Sequence, residues 1–187
     1  MSKTARIQPG DPAPVAGSDA GREAITVVGI GSEFRGDDAI GLEILRELKR
    51  HLPAGVRTIE LTGDQSYLPE LMRSTDAMIV VDAVQASAPA GTVFRIDASK
   101  DPVPEDFVSF STHAFDSASS IELARTLGSL PGIMLIYGIV GKDFSLGHGV
   151  TAEVEEAIDI ACTRIAREVG DILSRGKERR ARSRAKK

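Results

Sequence analysis

Short apolar runs alternate with amphipathic stretches along most of the chain. The first run, "AITVVGI" at residues 24–30, is apolar on both of the faces that a strand would present. Such a run is typical of a central parallel strand that helices cover on both sides. Residues 38–51 then show a helical pattern with one apolar face, which Pro53 and Gly55 end. This apolar face comprises Ile40, Ile44, Leu45 and Leu48.

Four further strands and three further helices follow in the same pattern. Only a few residues, around Pro89 and Gly91, separate the third strand from the fourth, whereas a parallel crossover needs about a dozen. The fourth strand is therefore predicted to be an antiparallel edge. Thr151 is the expected N-cap of the last helix. The predicted strands are residues 56–61, 77–84, 92–96 and 133–140, and the predicted helices are residues 66–74, 115–128 and 151–174.

Strands that alternate with helices predict a single three-layer α/β domain at residues 24–174. Its sheet is expected to have five mostly parallel strands with one antiparallel edge strand, and helices on both faces. Residues 1–23 contain three prolines and scattered glycines, so we expect a flexible leader there. Residues 175–187 are expected to form a basic, disordered tail.

The charge is distributed unevenly between the predicted domain and the tail. The formal net charge is −4, but residues 175–187 hold eight basic residues and one acid. The remainder, with 15 basic and 26 acidic residues, carries −11. The simplest interpretation of the tail is a solubilising end, and the alternative is a tether to nucleic acid or to an acidic partner. An acidic body with two tyrosines and no tryptophan argues against a nucleic-acid surface on the domain.

Composition and cysteine usage indicate where the protein acts. No apolar run approaches the roughly 18–20 residues of a membrane helix, and residues 1–23 lack the apolar stretch of a signal peptide. The single cysteine, Cys162, lies in an apolar helical pattern, so we expect a buried thiol rather than a reactive one. We therefore expect a cytoplasmic protein with no membrane insertion and no nucleic-acid partner.

Polar side chains follow several of the predicted strands. Asp37 and Asp38 come after the first strand, Asp82 ends the third, and His113 precedes the helix at residues 115–128. Ligands of open α/β sheets bind at the carboxyl ends of the strands, so these side chains are expected to gather at one edge.

The Gly-x-Gly of residues 29–31 is also typical of a dinucleotide site, which needs a third glycine three residues later. That position is Phe34, and Gly36 comes two residues late. Glu33 and the two aspartates would repel a pyrophosphate, at a cost on the order of 3 kcal/mol for each like-charge pair about 5 Å apart. The glycines are better explained by a tight turn and close packing.

The polar residues also have ordinary structural explanations. Asp37 and Asp38 can begin a helix, and His113 can cap one from a loop. Asp82 needs a partner, because an unpaired charge at the edge of a core is costly. Two carboxylates and an imidazole that converge would instead form an open site suited to Ni²⁺, Zn²⁺ or Mn²⁺. The chain has no Gly-x-Ser-x-Gly or His-Glu-x-x-His motif, so no conventional nucleophile stands out.

Three motifs occur in a recognisable order and spacing. They are "VVGIGSEFRGDDAIG" (27–41), "MIVVDAV" (78–84) followed by "PAGTV" (89–93), and "STHAF" (111–115). Together they resemble the hydrogenase maturation endopeptidases, and "LIYGIVGKDFSLGHGVTAEVEEAI" (135–158) is similar to that family's closing segment. The likeness covers about residues 24–174.

The resemblance implies an endopeptidase that removes the C-terminal extension of a [NiFe]-hydrogenase large subunit after nickel insertion. It implies Asp38, Asp82 and His113 as the catalytic and metal-binding side chains, and it gives Asp37 a helix-starting role. The implied cofactor is Ni(II) presented by the substrate subunit, although zinc or cadmium can occupy such a site. The implied partner is the large-subunit precursor. Whether the metal is the catalyst or only the recognised feature stays open.

Two departures from the family pattern bear on the substrate. Ser32 stands where the family usually has Asn, and "ELTGDQS" (60–66) stands where it has Asp-Gly-Gly-Thr, with only Gly63 aligned. The substrate is therefore expected to belong to a distinct hydrogenase group. His148 is left outside the predicted metal set. The rival functions are a non-catalytic chaperone or docking protein for the nickel-bearing subunit, and a nucleotide-binding α/β protein.

Overall fold

The chain forms one mixed sheet flanked by helices. The computed structural model describes residues 4–7, 25–63, 65–104, 108–109, 117–147 and 149–184. The strands are β1 (Thr4–Ile7), β2 (Ile25–Gly31), β3 (Val56–Thr62), β4 (Ala77–Gln85), β5 (Val93–Asp97), β6 (Val108–Ser109) and β7 (Ile133–Val140). A 3₁₀ turn at Gly36–Ala39 precedes α1 (Ile40–Leu48), and the other helices are α2 (Leu68–Arg73), α3 (Ser117–Thr126), α4 (Ala152–Glu155) and α5 (Ala157–Arg184).

The strand order confirms the predicted fold class. The order across the sheet is β1-β3-β2-β4-β7-β5, and β6 pairs with the end of β4. Of the five predicted strands, four run parallel, and β5 lies antiparallel to β7 at the edge. After β2 the chain adds β3 on one side and then β4 on the other. The strand order therefore reverses between β2 and β4, which is where open α/β sheets bind ligands.

Two apolar cores, one on each face of the sheet, make the fold three-layered. Side chains alternate between the two faces of each strand, so in β2 Val27 packs under α1 and α5 while Val28 packs under α2 and α3. Both faces of β2 are buried, as its apolar run predicts. The α1 side chains predicted to face the core are all buried, and they are Ile40, Ile44, Leu45 and Leu48.

The ordered elements extend beyond the predicted limits at both ends. β1 lies within the predicted leader and pairs in parallel with β3. A four-residue strand is too short to show a periodic pattern, so backbone pairing with β3 decides its conformation. At the other end α5 continues to residue 184, ten residues into the predicted tail. Arginine, alanine and lysine there are good helix formers, which allows the helix to propagate. Among the helices that the structure describes, none is long and apolar enough to cross a bilayer.

Candidate active site at the switch point

The chain turns from β2 into α1 in very little space. A Cβ at Gly31, whose φ is 147°, would lie 1.8 Å from the carbonyl oxygen of Asp38. A Cβ at Gly41 would lie 2.2 Å from the carbonyl oxygen of Ile30 and 2.5 Å from that of Val81. Only glycine fits at both positions, because a larger residue would collide with backbone atoms. The glycines therefore serve a tight turn and close packing, as predicted.

This packing brings two of the predicted site residues to the same edge of the sheet. Asp38 lies in the 3₁₀ turn, which contacts β4, and its carbonyl oxygen lies over the end of β2. The last pair between β2 and β4 joins Gly29 to Val81, so Asp82 is the first residue of β4 beyond that pairing. The prediction that Asp82 ends its strand needs a correction, because β4 continues to residue 85 along β7 and β6.

Asp82 has the partner that its burial demands. Strand alternation places its side chain on the α2 and α3 face, and only 3% of the residue is exposed. The Ser117 hydroxyl, at the start of α3 and 2% exposed, donates a 2.9 Å hydrogen bond to Oδ2 of Asp82. Ser117 was missed at the sequence level. The available signal was a serine that opens an amphipathic helix shortly after the "STHAF" motif.

The third predicted ligand, His113, lies outside the described residues, as does His148. Among the described residues no group of three or more His, Cys, Asp or Glu side chains is placed to hold a metal ion. The two carboxylates at the switch point supply hard oxygen donors, which suit divalent cations. The 3₁₀ turn that carries Asp38 contacts β4, which carries Asp82, and the metal-binding role of these two residues and of His113 stays a prediction.

Asp37 has a different role from its neighbour. It is fully buried, and its carboxylate binds the loop between β7 and α4. Oδ2 accepts the backbone N–H groups of Lys142 at 2.7 Å and Asp143 at 2.9 Å. Oδ1 accepts the N–H of Thr151 at 2.6 Å, and the Thr151 hydroxyl donates to Oδ2 at 3.1 Å.

These bonds correct the helix-starting role predicted for Asp37. The N-cap positions of the 3₁₀ turn and of α1 are Arg35 and Ala39. Thr151 is the N-cap residue of α4, which begins where the helix at residues 151–174 was predicted to begin. Its hydroxyl donates to Asp37 and does not cap the helix. Asp37 therefore fixes the loop before α4 against the turn that carries Asp38.

Several acidic side chains near the turn converge on Arg46 of α1. Its guanidinium donates to both carboxylate oxygens of Glu60, at 3.2 and 2.8 Å, and to Glu43 at 3.1 Å. It also donates to Glu33. The hydrogen bond to Glu60 raises the pKa of Arg46 most, burial lowers that pKa, and the hydrogen bond to Glu33 raises it further. Glu60 is thus held in an ion pair with Arg46.

The thiol of Cys162 is half-buried in α5 and lies 3.7 Å from the carbonyl oxygen of Ile44, to which it donates. Burial raises its pKa to about 11. A thiol in this environment stays protonated at neutral pH. The structure thus favours the structural role predicted for this residue.

The fold defines an α/β protein that carries Asp38 and Asp82 at the edge where the strand order reverses. A family model described as hydrogenase maturation protease matches residues 25–168. The chain therefore belongs to the hydrogenase maturation protease family, and so to the peptidases of hydrogenase maturation.

Individual relatives agree with this assignment. A Methanocaldococcus jannaschii protein, whose name places it in the same family, is 31% identical over 157 residues, covering 79% of this chain and 97% of the relative. The hydrogenase 2 maturation protease of Escherichia coli is 26% identical over 151 residues, covering 75% and 87%. Among solved structures, the hydrogenase maturating endopeptidase HybD of Escherichia coli superposes with a TM-score of 0.67 at 22% identity, over 79% of this chain and 93% of that one. The last comparison supports the fold alone.

Proposed function

We propose that this protein removes the C-terminal extension of a [NiFe]-hydrogenase large-subunit precursor after nickel has been inserted. Family membership supports the reaction class. The observation that carries the proposal is the position of Asp82. Asp82 is 3% exposed and lies just beyond the β2–β4 pairing. The preceding residue, Val81, packs its carbonyl oxygen against Gly41 near the start of α1.

In this proposal Asp38, Asp82 and His113 bind the nickel that the precursor presents. The nickel is part of the substrate. Its binding to these side chains distinguishes nickel-loaded from nickel-free precursor, and it also holds the cleavage segment in register. A bound divalent ion can polarise a peptide carbonyl or activate water, and zinc or cadmium would compete for the same donors. The protein contributes the fixed position of the carboxylates, which Ser117 and the packed glycines provide.

A processing assay tests the proposal. Purified protein is mixed at one-twentieth of the precursor concentration with nickel-loaded or nickel-free precursor, and the mass of the large subunit is followed over time. We expect complete shortening of the loaded precursor through repeated turnover, and an unchanged mass for the nickel-free one. A stable complex without shortening, even with equimolar protein, would identify a chaperone instead.

A further inference from the structure

Two large apolar side chains project into solvent beside the candidate site. Phe34 is 58% exposed and Leu146 is 82% exposed. Phe34 lies in the loop after β2, and Leu146 lies in the loop between β7 and α4. The two loops are joined, because the Gly147 N–H donates to the Phe34 carbonyl at 3.0 Å and Arg35 forms a parallel bridge with Gly147. We call Phe34 and Leu146 the apolar pair.

The backbone that presents the apolar pair is firmly held. The Asp37 N–H donates to the Asp143 carbonyl at 2.8 Å, and the Asp37 carboxylate accepts three N–H groups of the same loop. A Cβ at Gly36 would lie 2.5 Å from the Asp143 carbonyl oxygen, so the loops also pack closely. Ordered loops that expose large apolar side chains are suited to binding a partner, because little conformational entropy is lost on association.

The position of the apolar pair indicates which partner it serves. Phe34 is four residues from Asp38, which keeps their Cα atoms within about 14 Å, so a polypeptide bound at Asp38 lies within reach of the apolar pair. An open cleft of about 480 Å³ borders the same loops. Its charged lining consists of Glu33, Glu43 and Glu155 and one base, Arg46, which is paired with Glu33 and Glu43. With three carboxylates and one guanidinium the lining keeps a net negative charge, so the apolar side chains beside it fit a segment that carries an apolar residue next to a basic one.

We propose that the apolar pair docks the hydrogenase large-subunit precursor next to its cleavage segment, through apolar side chains flanked by basic ones. This inference rests on the proposed function, because it takes the precursor as the substrate of the Asp38 and Asp82 site. The pair acts as a binding anchor that sets affinity for the precursor. It takes no part in the bond-breaking step.

The chain offers a matched control for this surface. Leu127 follows the last residue of α3 and is 60% exposed, between the values for the two members of the apolar pair. It lies ten residues after Ser117, and a helix of that length spans about 15 Å. Truncation of Leu127 therefore removes a similar exposed side chain at a distance from the carboxylates.

The test is steady-state processing of nickel-loaded precursor by the full-length wild type and by Phe34→Ala, Leu146→Ala, Leu146→Met and Leu127→Ala. We expect each alanine substitution in the apolar pair to raise KM about tenfold, with kcat within about twofold of the wild type. Leu146→Met, which keeps apolar bulk, should restore KM, and Leu127→Ala should match the wild type. Unchanged KM values, or a fall in kcat alone, would overturn the inference.

Two parallel measurements separate the possible failures. Capture of the precursor on immobilised protein measures binding to the apolar pair independently of cleavage. If the wild type cleaves nothing, the proposed function fails, and the docking surface is then judged by binding alone. Analytical ultracentrifugation of the wild type and Leu146→Ala tests a second copy of this chain as the occupant. A wild-type dimer that Leu146→Ala dissociates would overturn the inference.

Discussion

The buried carboxylate of Asp37 accepts the backbone N–H of Thr151 at 2.6 Å, across 114 residues of sequence. The neighbouring Asp38 is half-buried and lies at the edge where the strand order reverses. Successive residues of a 3₁₀ turn point about 120° apart, so two adjacent aspartates can serve unrelated purposes. Asp37 orders the loop before α4, and Asp38 lies at the sheet edge where we propose the site.

The first prediction contrasts these two aspartates. Asp37→Asn should lower the free energy of unfolding by about 3 kcal/mol, because the new amide would place a donor against N–H groups that now bind a carboxylate. Asp38→Asn should lower it by much less and should instead abolish precursor processing. Urea denaturation followed by circular dichroism measures both variants. Equal stabilities for Asp37→Asn and the wild type would contradict the anchoring role.

Ser117→Ala tests the support of Asp82. Loss of the 2.9 Å hydrogen bond from α3 to that buried carboxylate should destabilise the fold by about 1–3 kcal/mol and slow processing roughly tenfold. The matched control is Ser129→Ala, which removes the 3.2 Å bond from Ser129 to the Ala124 carbonyl near the other end of α3. The control should affect stability alone. A Ser117→Ala variant that processes precursor at the wild-type rate would show that Asp82 needs no positioning by α3.

Gly31→Ala tests the close approach of the Asp38 backbone to β2. The new Cβ would collide with the Asp38 carbonyl oxygen, so we expect a loss of about 3 kcal/mol and a displaced Asp38. Gly55→Ala is the control: φ is 93° there, but nothing lies within 4 Å of the position that the new methyl group would take, so only the backbone cost of about 1–2 kcal/mol applies. Thermal denaturation should show a larger loss of stability for Gly31→Ala than for Gly55→Ala. Similar losses of stability for the two variants would contradict the steric argument.

The protonation of Cys162 gives a pH-dependent prediction. Because burial raises its pKa to about 11, iodoacetamide at pH 8 should label the native protein roughly a hundredfold more slowly than the urea-unfolded chain. The unfolded state releases the thiol proton first as the pH rises, so this group favours folding below its unfolded pKa and loses that contribution as the pH rises through about 11. Cys162 is the only cysteine, so mass spectrometry of labelling reports it directly. Equal native and unfolded rates would show an accessible thiolate.

The central sheet could be predicted because its signal is local. The strand at Ile133–Val140 matches its predicted bounds, and a run apolar on both faces permits few other structures. The antiparallel edge followed from the short connection around Gly91, which leaves no room for a crossover. Both arguments use only neighbouring residues.

The contacts that distinguish the site could not be predicted in that way. Asp37 finds its partners 105 to 114 residues away, and Ser117 reaches Asp82 across 35. Such pairs depend on how the layers pack, which no local pattern encodes. The convergence of Glu60 on Arg46 was missed for the same reason, since the pattern showed only an acid on a strand and a base on a helix.

The most direct test of the account is the effect of single substitutions on cleavage of nickel-loaded precursor. Asp38→Asn, Asp82→Asn and His113→Ala are compared with the wild type and with Asp171→Asn, a control on the exposed face of α5. The intact mass of the large subunit gives the rate, and circular dichroism confirms that each variant is folded. We predict a loss of at least about a hundredfold for the three site variants and a wild-type rate for Asp171→Asn. Normal processing by all three site variants would contradict the assignment.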